Sequence, residues 1–152
     1  MKRFIVAGAL LLMLCAAVCQ AQDDGFGIGI ILGEPTGVTV KNWLTEKTAV
    51  DFAIAWSFSG SEDALHLHGD YIIHNFSLIP VDEGEMPFYF GVGGRIKFED
   101  DASVAVRVPL GIDYLFANAP VDLFLEIVPM LELAPDTDFE LNGGLGVRYF
   151  FR

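Results

Sequence analysis

Residues 50–58 read VDFAIAWSF, with a large apolar side chain at every second position and Asp, Ala or Ser between them. Successive side chains of a β-strand point to opposite faces, so this alternation predicts a strand with one bulky apolar face and one face of small and polar residues. The bulky face must be shielded from water by protein or by lipid. Which of the two covers it decides the class of protein.

Composition and charge narrow that class. The chain has 152 residues, enough for one domain, and 53% of them are hydrophobic. Beyond residue 21, no stretch approaches the roughly 18–20 unbroken apolar residues of a membrane-spanning helix. The formal net charge is -12. Binding to nucleic acid depends on a basic surface, so we expect no nucleic-acid partner, and we expect no cofactor.

The first 21 residues predict a secretory signal peptide. Lys2 and Arg3 precede the apolar stretch 4–19, and Cys19-Gln20-Ala21 resembles an A-x-A cleavage site. We therefore expect a signal peptide over 1–21 and one domain over 22–152; the alternative is an uncleaved amino-terminal anchor. Both cysteines, Cys15 and Cys19, lie in the signal segment. The mature chain would then have no disulfide and no thiol chemistry.

The rest of the chain predicts eight strands joined by turn-rich segments, which is typical of an antiparallel meander. The predicted strands are 25–33, 37–44, 48–58, 64–75, 88–98, 103–116, 120–134 and 139–151. Most are about 9–14 residues long, whereas a soluble strand usually has about 5–6. A tilted membrane-spanning strand needs about 9–11. Strand length therefore favours a membrane barrel.

The two predicted faces of these strands differ throughout. The bulky face is predicted to contact lipid through Phe52, Ile54, Trp56, Phe90, Leu125, Tyr149 and Phe151. The other face combines glycine and alanine with charged residues. Such a face would give a water-exposed strand little solubility, but it suits the narrow interior of an eight-stranded barrel. The alternative is a soluble periplasmic barrel that binds an apolar ligand with its bulky face inward.

Aromatic residues cluster near the predicted strand ends, as in the interfacial girdles of outer-membrane barrels. These residues are Trp56, Phe58, Phe88, Phe90, Tyr114, Phe116, Tyr149 and Phe151. Because the closed barrel satisfies every backbone hydrogen bond without water, it can cross lipid. The predicted fold class is all-β: an eight-stranded antiparallel up-and-down transmembrane β-barrel.

Three segments carry a resemblance to a known group: GFGIGIILGEPTGVTVKNWL, PFYFGVGGRIKF and LNGGLGVRYFF. They resemble small bacterial outer-membrane β-barrel domain proteins, related in architecture to OmpA-like and OmpX-like barrels. The resemblance implies eight antiparallel strands, both termini in the periplasm, and insertion by the barrel assembly machinery. We also expect a monomer in outer-membrane lipid. That machinery usually recognises a final aromatic residue; here Phe151 is followed by Arg152.

Charged residues near the middles of the strands predict a network that fills the lumen. Its members are Asp51, Arg95, Arg107, Glu126 and Arg148. Since an unpaired charge in a low-dielectric interior is costly, we expect Glu126 to bridge Arg107 and Arg148. The functional alternative is ion passage, but eight strands leave little open bore.

The segment HLHGD (66–70) and His74, four residues after it, place His66, His68, Asp70 and His74 on one strand face. Residues two apart on a strand are about 6.6 Å apart, so imidazoles at this spacing can share a metal ion. The simpler interpretation is that these side chains are hydrogen-bonded fillers of the lumen.

No catalytic residue is expected, and the predicted role is structural or surface-interacting in the cell envelope. A second hypothesis is a membrane-embedded lipid hydrolase, which needs a nucleophile, a base and an acid at the barrel rim. Its candidate residues are Ser57, Ser59, Ser61, Glu62, Asp63, His66 and His68. They form no recognised nucleophile motif, so this hypothesis depends on loop composition alone.

Overall fold

The computed structural model describes residues 25–57 and 64–151, which form β-strands and the connections between them. No helix in this part of the chain is long and apolar enough to span a membrane. The predicted signal peptide, 1–21, lies outside the described residues. The strands are β1 (Phe26–Glu34), β2 (Thr36–Trp43), β3 (Thr48–Ser57), β4 (Ala64–Asn75), β5 (Phe88–Phe98), β6 (Ala102–Arg107), β7 (Leu110–Leu115), β8 (Val121–Ala134) and β9 (Asp138–Phe151).

The sheet closes on itself to form a barrel. Strands β1 to β5 pair in sequence order, all antiparallel, and β9 pairs with both β8 and β1. Strands β6 and β7 follow one another along a single position between β5 and β8. The barrel therefore has eight strand positions, and the predicted all-β, eight-stranded, antiparallel up-and-down fold is confirmed.

The sixth predicted strand, 103–116, is wrong as one continuous element. It divides into β6 and β7 at Val108 and Pro109. Proline has no N–H to donate to the ladder, so the regular pairing is interrupted there. The wall nevertheless stays bonded, because the Gly91 N–H donates to the Pro109 carbonyl at 3.0 Å and the Val108 N–H donates to the Pro129 carbonyl at 3.0 Å.

The two ends of the barrel carry different connections. The end that holds Phe26 and Phe151 is called the terminal end, and it also carries the connections 44–47, 76–87 and 116–120. The other end is called the opposite end. Its connections in the described chain are residue 35, 99–101 and 135–137. The connection 58–63 lies outside the described residues.

The bulky face of each strand points away from the barrel axis. Six of the seven side chains predicted to contact lipid are between 44% and 58% exposed: Ile54, Trp56, Phe90, Leu125, Tyr149 and Phe151. Phe52 is half-buried because its ring lies over Gly69 of β4. This sidedness excludes the soluble alternative, in which the same residues would face an internal apolar ligand.

Aromatic rings gather on the outer surface at the terminal end. Phe26 stacks on Phe151 with 6.2 Å between ring centroids, and Tyr149 meets Phe151 edge to face at 5.3 Å. Tyr114 meets Phe116 in the same way at 4.8 Å. Aromatic rings at the end of a barrel are suited to the boundary between the hydrocarbon core and the headgroups of a membrane.

Candidate functional site in the barrel interior

Many charged residues of the strands face the barrel interior. Nine charged side chains of the described chain are buried there: Lys41, Asp51, Asp70, Arg95, Arg107, Asp113, Asp122, Glu126 and Arg148. Each lies one position away from a bulky outer residue, so the alternation of the strand turns it inward. All five predicted members of the lumen charge network are among them. They do not form one cluster but belong to three successive layers along the barrel.

The layer nearest the terminal end is centred on Arg148. Its Nε lies 3.0 and 3.1 Å from the two carboxylate oxygens of Asp122, and its Nη2 lies 3.0 Å from Asp113 Oδ1. Lys41 forms an ion pair with Asp113, and its Nζ lies 3.8 Å from Asp122 Oδ2. Two cations and two carboxylates thus compensate one another where water is excluded, as buried charges require.

Aromatic side chains lie on the terminal-end side of this layer. Lys41 Nζ lies 4.3 Å from the centroid of the Trp43 ring and 2.9 Å from His74 Nε2. Trp43 packs on His74 with 4.3 Å between centroids, and Phe76 lies 6.4 Å from Trp43. We call Trp43, His74 and Phe76 the aromatic floor. Beyond it, at the terminal end, lies a cavity of about 660 Å³ that Trp43 and Phe76 help to line.

The middle layer is centred on Arg107. Its Nε lies 2.9 Å from Asp70 Oδ1, and its Nη2 lies 3.6 Å from Glu126 Oε1. The Tyr89 hydroxyl donates a hydrogen bond of 2.8 Å to Glu126 Oε2. Asp51 is opposite Asp70 in the β3–β4 register, and its Oδ2 lies 3.9 Å from Arg148 Nη1. Asp51 therefore connects the middle layer with the terminal one.

The third layer lies toward the opposite end and is centred on Arg95. Its Nη1 lies 2.6 Å from Glu140 Oε2 and its Nη2 lies 3.0 Å from Glu132 Oε2. Glu132 lies on β8 and Glu140 on β9, neither of which neighbours β5, so these contacts connect non-adjacent strands across the interior. The Arg95 side chain is only 1% exposed, whereas Glu132 and Glu140 are 15% and 30% exposed, so water screens this layer in part.

The expected bridge from Glu126 to both Arg107 and Arg148 is half wrong. Among the described residues, the only ion pair of Glu126 is with Arg107, and its second oxygen accepts from Tyr89. Arg148 instead pairs with Asp113, Asp122 and Asp51. Asp122 lies directly opposite Arg148 in the β8–β9 register, whereas Glu126 lies opposite Gly144. This register decides the partner.

The four residues of the proposed metal site face the interior, but the structure does not gather them around one point. His74 belongs to the aromatic floor, where it contacts Lys41 and Asp113. Asp70 is paired with Arg107. Within the described chain, no group of three or more His, Cys, Asp or Glu side chains is placed to hold a metal ion. His66 and His68 remain buried on β4.

The residues of the hydrolase hypothesis are described only in part. Ser57 donates a hydrogen bond of 2.7 Å to Glu34 Oε2, not to an imidazole. His66 and His68 are turned into the lumen rather than toward the rim. Ser59, Ser61, Glu62 and Asp63, like the predicted girdle residue Phe58, lie outside the described residues. The described part of the rim therefore holds no serine–histidine pair.

Three important interior residues were not identified from the sequence: Lys41, Tyr89 and Asp122. Each could have been found from the alternation of its own strand. Tyr89 is six residues from Arg95, and Asp122 is four from Glu126, so each shares the inward phase. Lys41 lies between Val40 and Asn42 and is three positions from the exposed Val38. An odd spacing along a strand puts two side chains on opposite faces, so Lys41 faces inward.

This architecture, a closed antiparallel barrel with an apolar outside and an ion-paired inside, is that of small outer-membrane barrels. The structure is similar to the N-terminal β-barrel domain of Pseudomonas aeruginosa OprF, with a TM-score of 0.68 and 15% identity over 87% of this chain and 100% of that one. It is also similar to Neisserial surface protein A (NspA), with a TM-score of 0.52 and 12% identity over 84% of this chain and 94% of that one.

At these identities the similarity concerns the fold alone, which it supports over nearly the whole described chain. No protein-family model matches the chain, and no curated protein sequence matches it. The function is therefore argued from the barrel itself.

Proposed function

We propose that the chain is an integral protein of the bacterial outer membrane with a filled, non-conducting lumen and a structural or surface-interacting role in the cell envelope. The observation that carries this proposal is the sidedness of the wall. Ile54 and Leu125 are 50% and 58% exposed, whereas Arg148 and Arg107 are 2% and 3% exposed. Contact with water on the outer surface would be unfavourable for Ile54 and Leu125, whereas contact with lipid would be favourable.

The filled lumen is supported by the three ion-paired layers. An arginine occupies the centre of each layer, and its carboxylate partners come from other walls of the barrel. The aromatic floor adds a second obstacle at the terminal end. An ion moving along the axis would have to break buried ion pairs, which costs several kcal/mol per charge. A structural interior therefore fits better than a channel.

Two measurements test this proposal. After cell fractionation, the protein should remain with the outer membrane, and its migration on a detergent gel should change on boiling because the closed barrel resists unfolding. Purified protein in planar bilayers should then give no steady conductance above that of the empty bilayer. Recovery in the soluble periplasmic extract would exclude membrane integration, and reproducible single-channel steps would exclude the filled lumen.

The role proposed is non-enzymatic, and the contact of Ser57 with Glu34 rather than with an imidazole supports it. The direct check is an esterase assay on lipid substrates with the parent protein and with Ser57, Ser59 and Ser61 each changed to Ala. If the parent protein hydrolyses the lipid and one of these variants does not, the hydrolase hypothesis is correct and the structural role is wrong.

A further inference from the structure

Two buried aspartates face each other in the middle layer. Asp51 of β3 lies directly opposite Asp70 of β4, and the two residues are 7% and 4% exposed. Side chains directly opposite each other on antiparallel strands have Cβ atoms about 4.5–5.5 Å apart, and like charges at such positions are destabilising. The repulsion is stronger here than on a wet surface, because the interior has a low local dielectric constant.

One oxygen of each carboxyl group is left without a hydrogen bond. Asp51 Oδ1 and Asp70 Oδ1 are buried, and neither has a hydrogen-bond partner among the described residues. Arg107 Nε lies 2.9 Å from Asp70 Oδ1, but the two atoms are not aligned for a hydrogen bond. Buried polar groups of native proteins are nearly always hydrogen-bonded, so each exception needs an explanation. Here the pair of carboxyl groups lacks a donor.

Cations are too few to compensate both aspartates. In the terminal and middle layers of the described chain, the buried carboxylates outnumber the buried cations by five to three: Asp51, Asp70, Asp113, Asp122 and Glu126 against Lys41, Arg107 and Arg148. Lys41 lies opposite Asp51 in the β2–β3 register, but its ammonium group is paired with Asp113. Arg148 lies 3.9 Å from Asp51, whereas it lies 3.0 Å from both Asp113 and Asp122.

The neighbouring histidines are poorly placed to supply the missing positive charge. His74 Nε2 lies 2.9 Å from the Lys41 ammonium group, so a charged imidazole would face a like charge. It also lies 3.1 Å from Asp113, but that carboxylate is already paired with Lys41 and Arg148. His68, in the next inward row, lies directly opposite Arg95. A proton on one of the two aspartates is the remaining way to relieve the repulsion.

We propose that Asp51 and Asp70 hold one proton between them, with the neutral carboxyl group of one donating a hydrogen bond to the carboxylate of the other. The proton supplies the missing donor and removes one of the two excess negative charges. Two carboxyl groups that share a site cannot both ionise, as in the aspartic-protease dyad. A proton needs no cavity. The fold makes room for the carboxyl groups themselves, because a Cβ added at Gly93, opposite Asp70, would overlap Asp70 Oδ1.

The first test measures how many protons the barrel releases when it unfolds. The folded pair would keep a proton that the unfolded chain gives up, since free aspartates ionise at about pH 4. The stability due to this proton is therefore present at low pH and falls as the pH rises. For the mature chain in lipid vesicles, the unfolding constant in urea should rise about tenfold more per pH unit, between about pH 5.5 and 7, than that of Asp70→Asn. The control Asp138→Asn changes an exposed aspartate and should keep the slope of the parent.

A second measurement observes the proton directly. In an infrared spectrum, the carbonyl stretch of a neutral carboxyl group is separate from the carboxylate and amide bands. The parent at neutral pH should show one such band, and Asp51→Asn and Asp70→Asn should each abolish it, whereas Asp138→Asn should keep it. Because the side-chain amide of either variant can donate in place of the lost proton, we expect both to fold, which heat-dependent gel migration checks.

The proposal is wrong if the parent shows no such band or if the band survives in both asparagine variants. It is also wrong if the parent and Asp70→Asn have the same pH slope. A band that disappears only in Glu126→Gln would assign the proton to Glu126 and contradict the shared pair. Since the band is measured on the parent, the proposal remains testable if a variant does not fold.

Discussion

At the scale of single residues, alternation determined which side chains enter the lumen but not which of them meet. Arg107, Glu126 and Arg148 are all inside, as their strand positions predict. The partner of Arg148 is nevertheless Asp122 rather than Glu126, because the β8–β9 register sets them opposite each other. Register depends on how the strands pair, which no single strand encodes.

Replacing Arg148 by Met should strongly destabilise the barrel. Among the described residues, the change leaves Asp113 and Asp122 with Lys41 as their cation, beside the contact of His74 with Asp113. Removing one partner of a buried ion pair typically costs about 3–5 kcal/mol. The free energy of unfolding in urea, measured after refolding into lipid vesicles, checks this expectation.

The matched control is Lys97→Met. Its ion pair with Glu99 is partly exposed, at 20% and 34% of the two side chains, and such pairs contribute about 0–1 kcal/mol. Equal losses for Arg148→Met and Lys97→Met would mean that the buried layer is no more important for stability than the surface.

Glu126→Gln should lower the unfolding midpoint, because Arg107 loses one of its two carboxylates and Tyr89 loses an ionised acceptor. Hydrogen bonds to charged groups contribute about 1.5–3 kcal/mol. A double-mutant cycle with Tyr89→Phe should show coupling of at least about 0.5 kcal/mol, as for residues in contact. Strictly additive effects of the two changes would show that the hydroxyl and the carboxylate do not interact.

At the scale of strands, the sequence predicted positions well and interruptions poorly. The predicted 64–75 and 88–98 coincide with β4 and β5, because each has clear alternation bounded by turn residues. The break between β6 and β7 was missed although Pro109 marks it, since a proline within a strand pattern removes a ladder donor. The apolar alternation around it concealed the interruption.

The seam between β1 and β9 depends on a glycine. A Cβ added at Gly29 would overlap the Val147 carbonyl oxygen and lie 2.7 Å from Arg148 Cα. Gly29→Ala should therefore destabilise the barrel by about 1–3 kcal/mol, the usual cost of overpacking. The unfolding free energy in lipid vesicles measures it.

Gly94→Ala provides the comparison on β5. The nearest atom to its added Cβ is the Ala105 carbonyl oxygen at 3.8 Å, which is an ordinary contact. If Gly29→Ala lowers the free energy of unfolding no more than Gly94→Ala does, the seam between β1 and β9 accommodates the added methyl group without cost.

At the scale of the whole molecule, strand length and sidedness together led to the closed barrel. The consistent small-residue face on β1, β3 and β9 was the informative feature, because only a narrow interior uses glycine and charge side by side. The three-layer order of the charges could not be foreseen, since it arises from closure, which brings Arg95 of β5 into contact with Glu140 of β9.

The even number of strand positions places Phe26 and Phe151 at the same end of the barrel, which makes the expected orientation testable. We expect the terminal end to face the periplasm. Both natural cysteines, Cys15 and Cys19, lie in the predicted signal peptide, so a single introduced thiol can report its own location. Asp136→Cys, at the opposite end, should react with a membrane-impermeant maleimide on intact cells.

Ala117→Cys, on the terminal-end connection, should react only after the outer membrane is permeabilised. Both positions are exposed, so accessibility differs between them only through the membrane. The reverse pattern of labelling would place the termini outside the cell.

The aromatic floor affects the route by which a solute could reach the barrel interior. Trp43 and His74 contact Lys41, and Phe76 packs on Trp43. A solute arriving from the terminal end would meet these rings before it met the charged layers. In the filled barrel proposed above, a solute would therefore reach the interior from the opposite end, past the connections 99–101 and 135–137.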